Sequence, residues 1–353
     1  MTGGIAVPGG LALTAVARMG KDHEPMNLEA QPFVSVLTPV YNMAAFLSEC
    51  IESVLRQSYK NFEYIIVNNC STDRSLEIAL SYARQDPRIR VHNNTKFVGV
   101  IDNHNIAFNL IDRKSKYCKV VSADDYIFPD CLTRMVQLAE SHPSIGIVGC
   151  YQLSGSYIKW QGFTYPEPVF SGYQLCRKIF LGGNRTFGFG TPTSLLYRAD
   201  LVRKSEAFYP NASPHADTSA CFKALQHCDF GFVYQVLSYE RIHAGTQSST
   251  SEDINRHASA YLNDVLQFGP YYLSKEEYED KLKRTLKRYY HYLAVNLFSG
   301  RGKQFWDYHK SRLVELGFPV TFSKLFRGLI SKGLMELKSP KDALKKMSHH
   351  SLR

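Results

Sequence analysis

Two adjacent carboxylates, Asp124 and Asp125, stand where an apolar run ends, in KVVSADDYIFPDCL (119–132). Like charges side by side raise each other's proton affinity unless a positive group shares their site. Mg²⁺ or Mn²⁺ is commonly held by one or two carboxylates together with substrate phosphates. Taken alone, the doublet reads more simply as a solvated turn before a proline.

Three other stretches carry polar chemistry at similar places. VNNCSTDRS (67–75) offers Asn68, Asn69 and Asp73, whose side chains can hydrogen-bond a nucleobase edge or, as readily, cap a helix. TPVYN (38–42) brings Thr38, a Pro39 that stiffens a strand exit and a Tyr41 ring suited to stacking; singly it is a tight strand-to-helix turn. YERIH (239–243) ends another apolar run. There Arg241 can hold a phosphate and His243 can ligate a metal or meet a diphosphate, and a plain strand end is an equal reading.

The elements between these stretches alternate. FVSVLTPVY (33–41), FEYIIVNN (62–69), IRVHNN (89–94) and KYCKVVSA (116–123) read as short buried strands. Helical spacing follows in AAFLSECIESVLRQS, in Ser71–Arg84 and in GVIDNHNIAFNLI. Such alternation predicts a parallel sheet with helices on both faces, and ligands of such sheets bind beyond the carboxyl ends of the strands. TPVYN, NNCSTD and SADD all lie at such ends. Further on, SIGIVGCYQL reads as a strand and residues 151–190, rich in Gly, Tyr and Phe, show few clear helices. PTSLLYRADLV is regular again, HADTSACFKALQHC is a helix, and DFGFVYQVLSYERIH is a long strand.

With these spacings the chain resembles the family 2 glycosyltransferases. The resembling segments are VSVLTPVYNMAAFLSECIESVLRQSYKNFEYIIVNNCSTDRSLEIA, NNTKFVGVIDNHNIAF and VVSADDYIFPDCL, nearly continuous over about residues 33–135. The resemblance implies the α/β GT-A fold, a mostly parallel central sheet flanked by helices. It also implies sugar transfer from a nucleotide-diphosphate donor, expected to be UDP-linked, with inversion at the anomeric carbon and Mn²⁺ or Mg²⁺ as cofactor. By it, Thr38, Pro39, Tyr41, Asn68, Asn69 and Asp73 contact the nucleoside. Asp124 and Asp125 match its acidic motif that holds the metal and the diphosphate, Asp124 expected on the sugar nucleotide and Asp125 on the metal; Arg241 on the sugar nucleotide and His243 on the metal are expected from their strand end alone. A carboxylate opening a helix after the glycine-rich GFGTPTSLLYR (188–198) is the general base, which here is Asp217 in HADTS. Two departures stand out: Asn68–Asn69 stands where the family most often has Asp-Asp or Asp-Asn, and Ser122 occupies the first acidic position of the metal motif.

The organisation expected is a loose tail over 1–30, a catalytic domain over 31–250 with donor (31–135) and acceptor (136–250) halves, and a basic helical region over 251–353. The net charge of +10 comes from the end of the chain: from Lys281 onward 17 Lys and Arg face 4 Asp and Glu, against 25 and 28 before it. In SKLFRGLISKGLMELKSP (323–340), Leu325, Phe326, Leu329, Ile330 and Leu334 share a helical face flanked by Lys and Arg. That pattern suits either packing on the catalytic domain or peripheral contact with an anionic leaflet. KLKRTLKRYYHYLAVNLF reads as a packed or dimerising helix. The acceptor implied is a glycan, cell-surface or lipid-linked, and the expected location is cytoplasmic, at or near the membrane face.

Eight scattered cysteines with no C-x-x-C pair argue against a disulfide framework or zinc site. No run approaches the roughly 18 apolar residues of a spanning helix. Two rivals remain: a sugar-nucleotide binder of the same fold without catalysis, and a nucleotidyltransferase. The second lacks its phosphate loop, since TPVYNMAAF has neither Gly nor a basic residue. Tyr289, Tyr290, Tyr292 and Trp306 fit helix packing as well as base stacking, and no nucleic-acid partner is expected.

Overall fold

The computed structural model describes residues 31–163, 165–182, 188–210, 213, 215–243, 254, 256–297, 299–321 and 325. The expected tail over 1–30 and most of the 323–340 stripe lie outside these residues. Leu325 is described and packs against the C-terminal helices.

The first half follows the predicted alternation: β1 (Val34–Val40), α1 (Leu47–Leu55), β2 (Phe62–Asn68), α2 (Ser75–Ala83), β3 (Ile89–Asn93), α3 (Val100–Asn109) and β4 (Tyr117–Val120). β1 and β2 are β-branched, apolar and buried along nearly their whole length, as central strands covered on both faces must be. α1 buries Leu47, Cys50, Ile51 and Val54, one stripe at helical spacing. Pro39, with no N–H to give, lies beyond the stretch of β1 paired with β4.

Beyond β4 come β5 (Tyr126–Ile127), α4 (Cys131–Ser141), β6 (Ile145–Ser154), β7 (Tyr157–Lys159) and β8 (Val169–Phe170). Then follow α5 (Gly172–Leu181), a 3-10 turn (Pro192–Ser194), β9 (Leu195–Arg198), α6 (Ala199–Arg203), α7 (Ala216–Ala224) and β10 (Asp229–Glu240). Helix α5 falls inside the segment expected to hold few helices. Ser171 caps it, accepting from the Gln174 N–H at 3.5 Å, and Leu175, Cys176 and Phe180 are its buried stripe.

The described strands form one ten-stranded sheet in the order β3-β2-β1-β4-β9-β6-β10-β5, with β7 on β6 and β8 on β10. The pairs β3–β2, β2–β1, β1–β4 and β6–β10 are parallel. β9 runs antiparallel between β4 and β6, and β5, β7 and β8 are antiparallel too. The sheet is therefore parallel over its first half and mixed beyond, rather than parallel throughout.

Helices α8 (His257–Tyr272), α9 (Lys275–Asn296) and α10 (Lys303–Glu315) pack around Leu262, Tyr289, Leu293, Phe305 and Leu313. A Ser274–Glu277 capping box starts α9. Tyr272 Oη donates to the Phe222 carbonyl at 2.6 Å, and Arg177 donates to the Glu277 carboxylate at 2.6 Å, tying these helices to α7 and α5. Tyr289 and Tyr290 are thus buried within the chain. All eight cysteines are free thiols, and no described helix is long and apolar enough to cross a membrane.

Candidate active site

The acid doublet lies on a turn. β4 ends at Val120, the Val121 N–H still donates to Leu37 of β1 at 2.9 Å, and the Asp125 N–H closes back on the Ser122 carbonyl at 3.0 Å. β5 then pairs antiparallel with β10, Tyr126 opposite Tyr239. That register carries the segment after β10 past the acids. The Arg241 N–H donates to Asp125 Oδ1 at 3.1 Å, Arg241 Nε donates to the Asp124 carbonyl at 3.0 Å, and His243 Nε2 lies 3.1 Å from Asp124 Oδ2.

The two carboxylates face different surroundings. Asp125 is 6% exposed. Its second oxygen accepts from Thr193 Oγ1 at 2.6 Å, and that hydroxyl in turn accepts from the Ser122 N–H at 3.1 Å. Burial, then the charge of Asp124, push Asp125 up to about 7. The sequence reading gave the cation to Asp125, yet both oxygens of Asp125 are engaged by the protein. Asp124 is the acid that meets His243, and both side chains are about one-fifth exposed.

Asp124 and His243 offer one carboxylate oxygen and one imidazole nitrogen at hydrogen-bond separation, a donor pair whose chemistry fits Mn²⁺. Among the described residues no group of three or more His, Cys, Asp and Glu is gathered for a metal ion. A cation here would therefore rely on its substrate for further ligands. Arg241 is not idle: its guanidinium pairs with Glu49 and lies 4.9 Å from the centre of the Phe46 ring. A phosphate reaching it competes with Glu49.

The expected nucleoside contacts divide into two groups. Thr38 is fully buried, hydrogen-bonded to Tyr64 Oη and the Val121 carbonyl at 2.9 Å each. Asn69 is spent on Val98 and Asn94. The Asp73 oxygens accept the N–H groups of Ala44 and Ser75 at 2.9 Å each. Burial alone raises the Asp73 pKa, but these hydrogen bonds outweigh it and hold the carboxyl below its ordinary range. These three residues bolt the first two strand exits together. Asp73 also explains why α2 begins at Ser75 rather than at the expected Ser71.

Pro39 and Tyr41 reach the surface, while Asn68 is buried at 1% exposure. Tyr41 is 41% exposed and meets the open Phe97 ring at 4.8 Å. Asn68 donates to Asn93 Oδ1 at 2.7 Å, while its own Oδ1 is buried without a partner. Such an oxygen costs about 1–3 kcal/mol, a cost that a ligand N–H removes. Asn42 (φ 52°) and Cys70 (φ 55°) adopt the left-handed conformation at these two exits, and strain of this kind gathers at functional sites.

Asp217 stands in the first turn of α7, two residues after the His215 N-cap. Its carboxylate is drawn to the N–H groups of its own residue and Thr218, so it does part of a cap's work. Burial nevertheless raises its pKa. Its charge acts on Tyr197, Tyr209 and Cys221, and no hydrogen bond described links it to the acid turn. Thr193, Glu49, Phe46 and Phe97 were missed by sequence reasoning. Only the aromatic Phe97, two residues before Gly99, offered a signal.

Beneath α7, Ser219 Oγ donates to Asp264 Oδ1 of α8 at 2.5 Å. Burial, with Asp217's charge behind it, raises the Asp264 pKa to about 7. The folded state thus binds this proton more tightly than the unfolded one. The stability it contributes is full below about 4 and is lost as pH rises to about 7. Asp264→Asn should therefore exceed the wild type in unfolding free energy at pH 8, by on the order of a few kcal/mol, and match it near pH 4. Urea unfolding at both pH values checks this, and an equal difference at the two would refute it.

A family model for glycosyl transferase family 2 matches residues 35–205. The chain is 38% identical over 119 residues to EpsJ, an uncharacterised glycosyltransferase of Bacillus subtilis, covering 34% of this chain and 33% of that one. It spans only 25–38% of the lengths of three curated relatives it matches. Among solved structures it resembles residues 1–349 of S. aureus TarS in complex with UDP-GlcNAc, with a TM-score of 0.57, 19% identity and 80% of each chain covered. It also resembles the mannosyltransferase PcManGT of Pyrobaculum calidifontis in complex with GDP-Man and Mn²⁺, with a TM-score of 0.53, 14% identity and coverage of 90% and 92%. The sheet order, the acid turn beyond β4 and these likenesses converge: the chain has the GT-A fold, and its residues 35–205 form a glycosyl transferase family 2 module.

Proposed function

We propose that the protein transfers a sugar from a nucleoside-diphosphate donor to a glycan or lipid-linked acceptor by a single inverting displacement. The observation that carries this reading is the approach of His243 to Asp124 at 3.1 Å, where the segment after β10 meets the turn beyond β4. The donor lies across the ends of β1, β2 and β4. Its base stacks on Tyr41 and gives an N–H to the unpaired Asn68 oxygen, and its diphosphate draws Arg241 away from Glu49. Asp124 and His243 would hold Mn²⁺ or Mg²⁺, and the cation would offset the charge of the leaving group.

The acceptor hydroxyl oxygen attacks the anomeric carbon while the bond from that carbon to the diphosphate oxygen breaks. The nucleoside diphosphate leaves with the electron pair, and Asp217 takes the hydroxyl proton. Burial suits Asp217 to this, because a base whose proton affinity is lifted toward neutrality pulls harder in the transition state.

TarS was solved with UDP-GlcNAc and PcManGT with GDP-Man, so neighbours of the same fold take different bases. A neutral Asn68 edge, one acceptor beside one donor, matches the N3–H and O4 of uracil. It cannot pair both the N1–H and N2–H of guanine, which a carboxylate would do. UDP-sugars should therefore raise the melting temperature in the presence of Mn²⁺, and GDP-sugars should do so by less. A panel of nucleotide sugars in a thermal-shift assay, with and without Mn²⁺, tests the reading; no metal-dependent shift with any donor would end it.

A further inference from the structure

Lys119 is fully buried in β4, between β1 and β9, three residues before the acid turn. Lysine is almost never buried completely without a purpose, and an apolar side chain would fill a strand interior at lower cost. Its amine donates to the Leu195 carbonyl at 3.0 Å and to the Thr193 carbonyl. Among the described residues it forms no ion pair with a carboxylate. Its partners are backbone groups at the 3-10 turn and the start of β9, on the far side of a strand pairing.

That turn holds the acids. Its ends are closed by the reciprocal Thr191–Ser194 hydrogen bonds, and Gln152 of β6 braces Thr191 at 2.9 Å. The Thr193 hydroxyl donates to Asp125 and accepts from the Ser122 N–H. The Arg241 N–H holds the other oxygen of Asp125. We propose that Lys119 is a positioning residue for the cation pair. It pins the Thr193 backbone so that the Thr193 hydroxyl holds Asp125 inward and leaves Asp124 aimed at His243. Ser122 stands beside the Thr193 hydroxyl at 3.1 Å, so the turn uses neutral hydroxyls where a third carboxylate would add repulsion to an already crowded pair.

This inference rests on the reading of Asp124 and His243 as the cation pair, and the test separates the two. Lys119→Met keeps the side chain's bulk and removes the amine. Calorimetric binding of UDP, and separately GDP, across a Mn²⁺ series should show the half-saturating Mn²⁺ concentration raised about 10–100-fold, the range for lost partners of metal ligands. Binding of Mn²⁺ alone, followed by the spin-resonance signal of the free ion, should weaken in parallel, while the melting temperature holds or rises. Thr193→Val should reproduce the effect, Thr193→Ser should restore the wild-type metal dependence, and the Lys119→Met/Thr193→Val double variant should be no worse than either single one.

If Lys119→Met does not fold, Thr193→Val and Thr193→Ser decide the outcome. Wild-type metal dependence in Thr193→Val, or in a folded Lys119→Met, overturns the proposal. Asp124→Ala is the control for the parent reading. If it too leaves metal dependence untouched, the cation pair itself is misassigned; if it abolishes that dependence while Lys119→Met does not, only the role of Lys119 falls.

Discussion

Asp124→Asn should lower kcat/KM for sugar transfer by about 10³-fold or more, the scale seen when one group stabilising developing charge is removed from a water-poor site. The substitution keeps the shape of the side chain. It leaves His243 an amide to bond with and removes the negative oxygen that the structure places 3.1 Å from it. Asp125→Asn should behave differently. Asp125 is buried between Thr193 and Arg241, and its charged form is disfavoured by burial and by Asp124. An amide there keeps one of the two accepted hydrogen bonds and turns its NH₂ toward the other donor. The variant should therefore show a changed melting temperature and a smaller loss of turnover, about 10-fold, in line with a misplaced supporting group. Steady-state kinetics across a Mn²⁺ series, with melting curves, distinguishes the two. Equal losses in both variants, or full activity in Asp124→Asn, would show that the acids do not divide the work as their surroundings indicate.

The donor half of the fold was legible because its strands are buried on both faces and so read as continuous β-branched runs, as in VSVLTPV and FEYIIVN. Helix α5 was hidden by its neighbours. Its own stripe of Leu175, Cys176 and Phe180 is short, and the Gly and aromatic residues around it dominate the local composition. The antiparallel insertion of β9 had no local signal. LLYR is four apolar-leaning residues, and only its partners β4 and β6 determine its direction. The site follows the same logic. That acids would stand beyond a strand end could be read from SADDYIFP. Which acid turns inward could not, because Thr193 and Arg241 decide it from 68 and 116 residues away. Asp73 and Asn69 likewise looked like ligand contacts because caps and ligand contacts draw on the same polar side chains. Their commitment to Ala44, Ser75, Val98 and Asn94 appears only when the loops are folded together.

Asp217→Asn carries the other large effect expected. A general base contributes about 10²–10⁴-fold, so kcat should fall by that factor while donor affinity, set by the acid turn and the strand-end residues, stays at the wild-type value. The asparagine can still accept from the N–H groups at the start of α7, so the capping part of the role survives and the protein should melt no earlier. Any larger drop in stability would mark the residue as a cap whose charge the helix requires. The pH profile separates the readings further. A base must be ionised to act, so wild-type kcat/KM should fall as pH drops through the pKa of Asp217, which burial places above the ordinary aspartate value. The limb attributable to Asp217 should therefore lie higher than an exposed aspartate would give, and should vanish in Asp217→Asn. A sugar-nucleotide binder without catalysis would show no turnover in the wild type and no change in donor binding in the variant. An enzyme using another base would keep both its turnover and its acidic limb when Asp217 is replaced, and either result would remove Asp217 from the mechanism.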